Sequence, residues 1–257
     1  MRDAVHAEWT KLRTVPSSGW LLIALIALTI GASAMATAIV RCPATCGADT
    51  TKLSLTGIML GQAAVAAIAV VVVTAEYGTG MIRVSLAAVP RRSVLLAAKA
   101  LVVTAVVLVA GSISVLGSVL AGRIQLPGNG FTAANGFQTL SILHGPTLRA
   151  AAGSVLYLVL IGLFTLGMST ALRDAGLTTA VVLGVLYVIP LISYVIISPV
   201  WQHRLDRWAP TNAGLAIQAT RNIPKLPIGP WPGLGVLAVW TAGALAAGWV
   251  VLRLRDA

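Results

Sequence analysis

From Gly19 to Val40 the chain runs for 22 residues without a charged side chain. Five later stretches behave alike: 53–74, 95–122, 149–172, 177–197 and 233–252, broken only by Lys99 in the third run and by Arg149 at the start of the fourth. A helix needs about 20 apolar residues to cross roughly 30 Å of hydrocarbon. The sequence therefore predicts an all-α membrane protein of six transmembrane helices, with 1–257 forming a single transmembrane domain. Composition agrees: charged residues are 10% of the chain, against roughly 25% in soluble domains. A cleavable signal peptide competes for the first run, because Ala32-Ser33-Ala34 has the form of a cleavage site. The run continues to Val40, well past a normal signal core, so a retained helix is expected.

The formal net charge of +11 does not indicate nucleic acid. Lys and Arg fall in the gaps between apolar runs, where a bilayer forces charge to lie, and no basic stripe is interleaved with aromatics. Membrane lipid headgroups are the expected partners of these cations. With six spans both ends share one side. Ten of the eighteen basic residues then lie with the termini: Arg2, Lys11, Arg13, Arg83, Arg91, Arg92, Lys99, Arg173, Arg253 and Arg255. These are packed into short segments beside the spans, whereas four of the other eight sit in the long 198–231 connection. Positive-inside weighting of short flanks puts both termini in the cytoplasm. Lys99, near the start of its span, is expected to snorkel to the headgroups.

The span interiors otherwise hold no Asp, Glu, His, Lys or Arg at mid-depth. A proton-coupled carrier needs a titratable relay there and a cation channel an acidic ring. The chain also lacks a Walker-type phosphate loop, a His-Glu-x-x-His zinc motif and a Gly-x-Ser-x-Gly nucleophile turn. The sequence thus offers no catalytic residues, no metal ligands and no cofactor of its own. If the protein moves a solute, the free energy comes from another chain.

Two segments outside the spans are distinctive. Residues 2–15 place Val5, Trp9 and Leu12 at i, i+4 and i+7, with Glu8, Lys11 and Arg13 on the other face, which predicts an amphipathic helix in the membrane interface ended by Pro16. Between the second and third runs lies Thr74-Ala-Glu76-Tyr77-Gly78-Thr-Gly80-Met-Ile-Arg83, followed by Pro90, Arg91 and Arg92. Met81, Ile82, Leu86 and Val89 share one side of a short helix from Thr79, with Arg83 apart from them. That element suits the boundary between the bundle and a soluble partner, and equally an ordinary inter-span loop with positive-inside charge.

The remaining connections carry less. Gly57 and Gly61 form a small-x-x-x-small face for close helix packing. Residues 123–147 are turn-rich, with room for a short helix around 131–143. Arg173 and Asp174 mark a tight turn making the fourth and fifth spans a hairpin. Pro190 frees a carbonyl inside the fifth span and tends to kink the helix, which is tolerable where neighbouring helices supply partners. The 198–231 stretch reads as the longest loop, with Trp201 and Trp208 in an interfacial belt and a short helix around 212–221. Cys42 and Cys46 are spaced for a local disulfide in an oxidising compartment; two free thiols or half of a metal site are the alternatives.

Glu8-Trp9-Thr10-Lys11-Leu12-Arg13 ahead of the first span resembles the amino-terminal signature of ABC-2 type transporter permeases of the actinobacterial style. The 74–83 motif, with Pro90, Arg91 and Arg92 before the third span, resembles that family's cytoplasmic segment. The resemblance implies an elbow helix over 2–15 (Glu8, Trp9, Lys11, Leu12, Arg13) and a coupling helix in which Glu76, Tyr77, Gly78, Gly80, Arg83, Pro90, Arg91 and Arg92 meet the motor. It implies a bacterial plasma-membrane exporter subunit that pairs with a second permease chain and with two ATPase subunits, which would use ATP and Mg. The chain departs from some members in having no large extracellular domain, which suggests a small hydrophobic or amphipathic cargo. A non-transporting scaffold or sensor that recruits a partner through the same surface is the alternative.

Overall fold

The computed structural model describes residues 2–14, 16–42, 46–78, 92–142, 144–196 and 198–254. Every regular element among them is helical. In chain order they are α1 (Arg2–Thr14), α2 (Pro16–Ile39), α3 (Thr50–Ser54), α4 (Ile58–Gly78), α5 (Arg92–Gln125), α6 (Gly145–Leu172), α7 (Ala175–Leu183), α8 (Ile189–Val195), α9 (Pro199–Trp208), α10 (Pro210–Leu215) and α11 (Pro230–Leu254). Five stretches are long and apolar enough to cross a membrane: Ser17–Ile39, Arg92–Gln125, Gly145–Leu172, Ala175–Ser193 and Pro230–Leu254. The chain thus has the character of a multi-pass membrane protein. A sixth apolar helix, Ile58–Thr74, is shorter.

The expected second span is broken near its start. After α3 the chain turns at 55–57 and resumes as α4, because the backbone there is pressed onto α2. Gly57 N–H donates to Ser33 Oγ at 3.0 Å. A Cβ on Gly57 would fall 1.9 Å from Thr29 O, and one on Gly61 would fall 2.3 Å from Thr29 Oγ1. No other residue type permits that approach.

The bundle is built around α6, which packs on α4, α5, α7 and α11. Its apolar window is 67% buried, against 22% for α2. Tyr157, Leu158, Ile161 and Phe164 of α6 meet Val65 and Ile68 of α4, Val103 and Val107 of α5, and Leu237 of α11 in one continuous core. Large apolar side chains on the outer faces of α2, α5 and α11, among them Ile23, Val109 and Val239, are exposed. Such exposure is what a hydrocarbon surrounding allows and water does not.

The fifth span is interrupted at the predicted proline. Between α7 and α8 the helix widens into a π turn, Gly184–Val188. Pro190 has no N–H for the carbonyl four residues back, Leu186 O. Thr211 Oγ1 donates to that carbonyl at 3.0 Å. The residue that supplies the bond belongs to the stretch expected to be a loop.

That stretch is instead structured, and its middle part, 209–219, is largely internal. Helices α9 and α10 occupy 199–215, and Ala213, Ile217 and Ala219 are buried. Residues 210–219 dip between α6 and α11: a Cβ on Gly153 would collide with Ile217, and one on Gly233 with Ala213 O. The helix expected over 212–221 is therefore shorter, ending at Leu215, because Pro210–Leu215 and the 3-10 turn Ala216–Gln218 are shaped to that slot.

Residues 123–147 form the neighbouring cap. Among the described residues of 131–143 a single turn, Ala133–Asn135, stands in place of a helix, and another, Pro127–Asn129, precedes it; they are followed by Gly136 (φ +77°) and Gly130 (φ +91°) respectively. Cys42, Leu126, Phe131 and Phe137 make a small second core beneath them. Cys42 and Cys46 are joined by a disulfide.

Candidate functional site at the α1 end of the bundle

Three buried positions at i, i+4 and i+8 define how α1 docks: Ala4, Glu8 and Leu12. Leu12 packs against Val102 and Val106 of α5. Glu8 is only 4% exposed, and its Oε2 accepts from Lys99 Nζ at 2.8 Å. Its Oε1 accepts from Lys11 Nζ at 3.0 Å. Lys99 Nζ, on a residue 3% exposed, also donates to Val72 O near the end of α4 at 3.2 Å. One ammonium thus ties together α1, α4 and α5.

Two expectations are corrected here. Lys99 does not snorkel to the headgroups; it turns inward, because a carboxylate and a carbonyl replace the water it loses. Glu8 does not share an outer face with Lys11 and Arg13, and Trp9 is not on the docked face. Trp9 is 42% exposed, Arg13 is exposed, and Glu8 is buried. The α1 helix is rotated so that its one central acid meets the one lysine inside the third span. The signal was present: a lysine within an apolar run needs a counter-charge, and Glu8 lies in register with Ala4 and Leu12.

The same end gathers further cations. Arg92, opening α5, donates to the Leu252 carbonyl of α11. Arg173, closing α6 in the left-handed region at φ 60°, donates through Nη2 to Val251 O at 3.1 Å. These carbonyls belong to the last turn of α11, where intrahelical donors run out and cations are favoured. Asp174 then caps α7, accepting from Leu177 N–H at 2.6 Å, so the 173–174 turn is fixed at both helix ends. Arg253 lies over the Trp249 ring at 4.0 Å.

Of the residues assigned to a coupling element, Glu76, Tyr77 and Gly78 form the last turn of α4, one turn beyond Val72, and Arg92 opens α5. Gly80, Arg83, Pro90 and Arg91 lie outside the described residues. Both flanks of the 79–91 connection therefore emerge at the Glu8–Lys99 cluster. Of the elbow residues, Glu8 and Leu12 face inward, Lys11 is partly exposed, and Trp9 and Arg13 face outward.

The opposite end is locked by an acid that sequence reasoning did not single out. Asp49 caps α3, taking N–H bonds from Thr51 and Lys52 at 3.1 and 3.2 Å. It also accepts from Thr220 Oγ1 at 2.7 Å and from Arg221 N–H at 2.9 Å, and from Thr220 N–H. Arg221 in turn stacks over Phe137 at 4.6 Å and donates to the Gly136 carbonyl at 3.1 Å. Capping preference alone marks Asp49 as a helix start; its hold on 220–221 needs tertiary contact.

Among the described residues the mid-bundle polar side chains are neutral: Tyr157 donates to Gln62 Oε1, while Gln62 Nε2 is buried without a hydrogen-bond partner. Among the described residues no three His, Cys, Asp or Glu side chains come together as a metal cluster. The arrangement joins α1 and two helix ends through one buried charge pair. Compared with known proteins, the sequence matches no family model and no curated protein.

Proposed function

We propose that the chain is the membrane-spanning permease subunit of an ATP-driven, ABC-2 type exporter in the bacterial plasma membrane. On this reading α4 completes a set of six crossings, both termini are cytoplasmic, and two permease chains, identical or different, enclose the pathway. Two cytoplasmic ATPase subunits engage the 76–92 element through Glu76 and Arg83, and the cargo is a small hydrophobic or amphipathic compound. The observation that carries the reading is the Glu8–Lys99–Val72 junction. A push on the 79–91 connection acts on the ends of α4 and α5 at once, and the junction passes it to α1. Lys99 is committed to Glu8, so its charge serves attachment and not a proton relay.

Co-purification with a co-expressed ATPase, together with ATP-dependent efflux from vesicles, tests the proposal. Glu76→Ala combined with Arg83→Ala should abolish both. If association and efflux persist in that variant, the coupling assignment is wrong.

A further inference from the structure

A large apolar groove of about 990 Å³ opens on the side of the bundle between α6, α7, the π turn and α11. Phe164, Met168 and Val185 form one wall; Gly235, Gly243 and Ala247 of α11 form the floor. Along α11 the lining runs from Pro232 to Ala247, roughly 22 Å at 1.5 Å per residue. Half of a ~30 Å hydrocarbon core is about 15 Å, so the groove is long enough to take an acyl chain through one leaflet. Cβ atoms built on Gly235 and Gly243 meet nothing within 4 Å. The floor is therefore open space, not a helix contact.

The mouth of the groove has a different chemistry. Trp208, the last residue of α9, lines it, and Trp240 Nε1 donates to Trp208 O at 3.2 Å. Arg204 lies one turn before Trp208 on the same face of α9, stacked 5.5 Å from the Trp201 ring, and Arg207 stands beside it. Both arginines are exposed. His203 is exposed as well, while the helix's one acid, Asp206, is taken up by Asn212 Nδ2 at 2.6 Å. An apolar slot long enough for an acyl chain thus has a cationic, tryptophan-flanked helix at one end.

We infer that this groove is a binding site for a single acyl chain of an anionic phospholipid, whose headgroup is held by Arg204 and Arg207. Acyl methylenes match the uncharged slot, and the arginines match a phosphate at the interface. A second copy of the chain is a poorer occupant. A two-fold contact needs a self-complementary patch, and here a hollow would face a hollow, with arginines near arginines. The inference requires the chain to sit in a bilayer but not to be coupled to an ATPase, so it stands or falls separately from the exporter reading.

The test uses the full chain in phosphatidylcholine nanodiscs doped with a trace of lipid carrying a photoreactive diazirine in its acyl chain. The headgroup is either phosphatidylglycerol or phosphatidylcholine, and labelled peptides are mapped after irradiation. The phosphatidylglycerol probe should label the groove segments, 164–168 and 235–247, at least about fivefold more than the phosphatidylcholine probe, the ratio for one arginine at ~1 kcal/mol. Arg204→Gln with Arg207→Gln should bring the two probes level. Gly243→Leu, whose side chain enters open space, should remove groove labelling by either probe. Gly31→Leu, at another open position on the exposed side of α2, should leave it unchanged. Equal labelling by both probes in the native chain would overturn the inference, as would groove labelling that survives Gly243→Leu. Efficient disulfide pairing between chains carrying Gly243→Cys would also overturn it by placing a second copy there.

Discussion

Glu8 and Lys99 are 4% and 3% exposed and 2.8 Å apart. At an effective dielectric of about 20, unit charges at that distance attract by roughly 6 kcal/mol. Desolvation costs several kcal/mol per ion, so the intact pair is close to neutral against an apolar replacement, whereas removal of one partner costs about 3–5 kcal/mol. Glu8→Gln and Lys99→Met should therefore each destabilise the protein by ~3 kcal/mol, and the double variant by clearly less than the sum, with a coupling of at least ~2 kcal/mol. Lys11, with 34% of its side chain exposed, is screened, so Lys11→Ala should cost no more than ~1 kcal/mol. Reversible unfolding of the purified chain in mixed micelles, titrated with a denaturing detergent, measures all four. Polar contacts between membrane helices average about 0.6 kcal/mol in coupling. A Glu8–Lys99 coupling no larger than that would mean that Lys99 reaches water when Glu8 is lost, and the argument that the pair anchors α1 would fail.

Three further substitutions probe the long-range bonds that hold the rest of the bundle. Thr211→Val strips the Leu186 carbonyl of its donor and should cost ~1–3 kcal/mol in the same titration. The cost should shrink when Pro190→Ala restores a backbone N–H, and an undiminished cost would argue against the proline as its origin. Asp49→Ala should release the backbone amides of Thr220 and Arg221, raising their hydrogen exchange while the core helices α5 and α6 keep their protection; unchanged exchange at 220–221 would refute the clamp.

The helices themselves were legible because local composition suffices: a run of apolar residues near 20 long can satisfy its backbone in only one way. The need for a donor opposite Pro190 was legible for the same reason, since the missing N–H is a property of proline alone. The close approach at Gly57 and Gly61 followed from their spacing. The helix break at 55–57 did not, because it depends on Ser33 and Thr29 lying across the contact. The site was legible only in part. Glu8, Lys11 and Leu12 were visible as elbow residues, but an amphipathic pattern centred on Trp9 pointed the helix the wrong way.

The chain's own order of residues determined that it is helical, apolar throughout its long runs, and charged only between them or near their ends. Tertiary structure alone decided which polar groups meet: Glu8 with Lys99, and Asp49 with the Thr220 hydroxyl and the backbone amides of Thr220 and Arg221, partners far apart along the chain. It alone drew 210–219 into the bundle, where Thr211 could reach Leu186. Local propensity sets what each segment becomes, but the partner of a buried polar group is chosen by whichever element packing brings within about 3 Å, and that choice is not written in any one stretch of sequence.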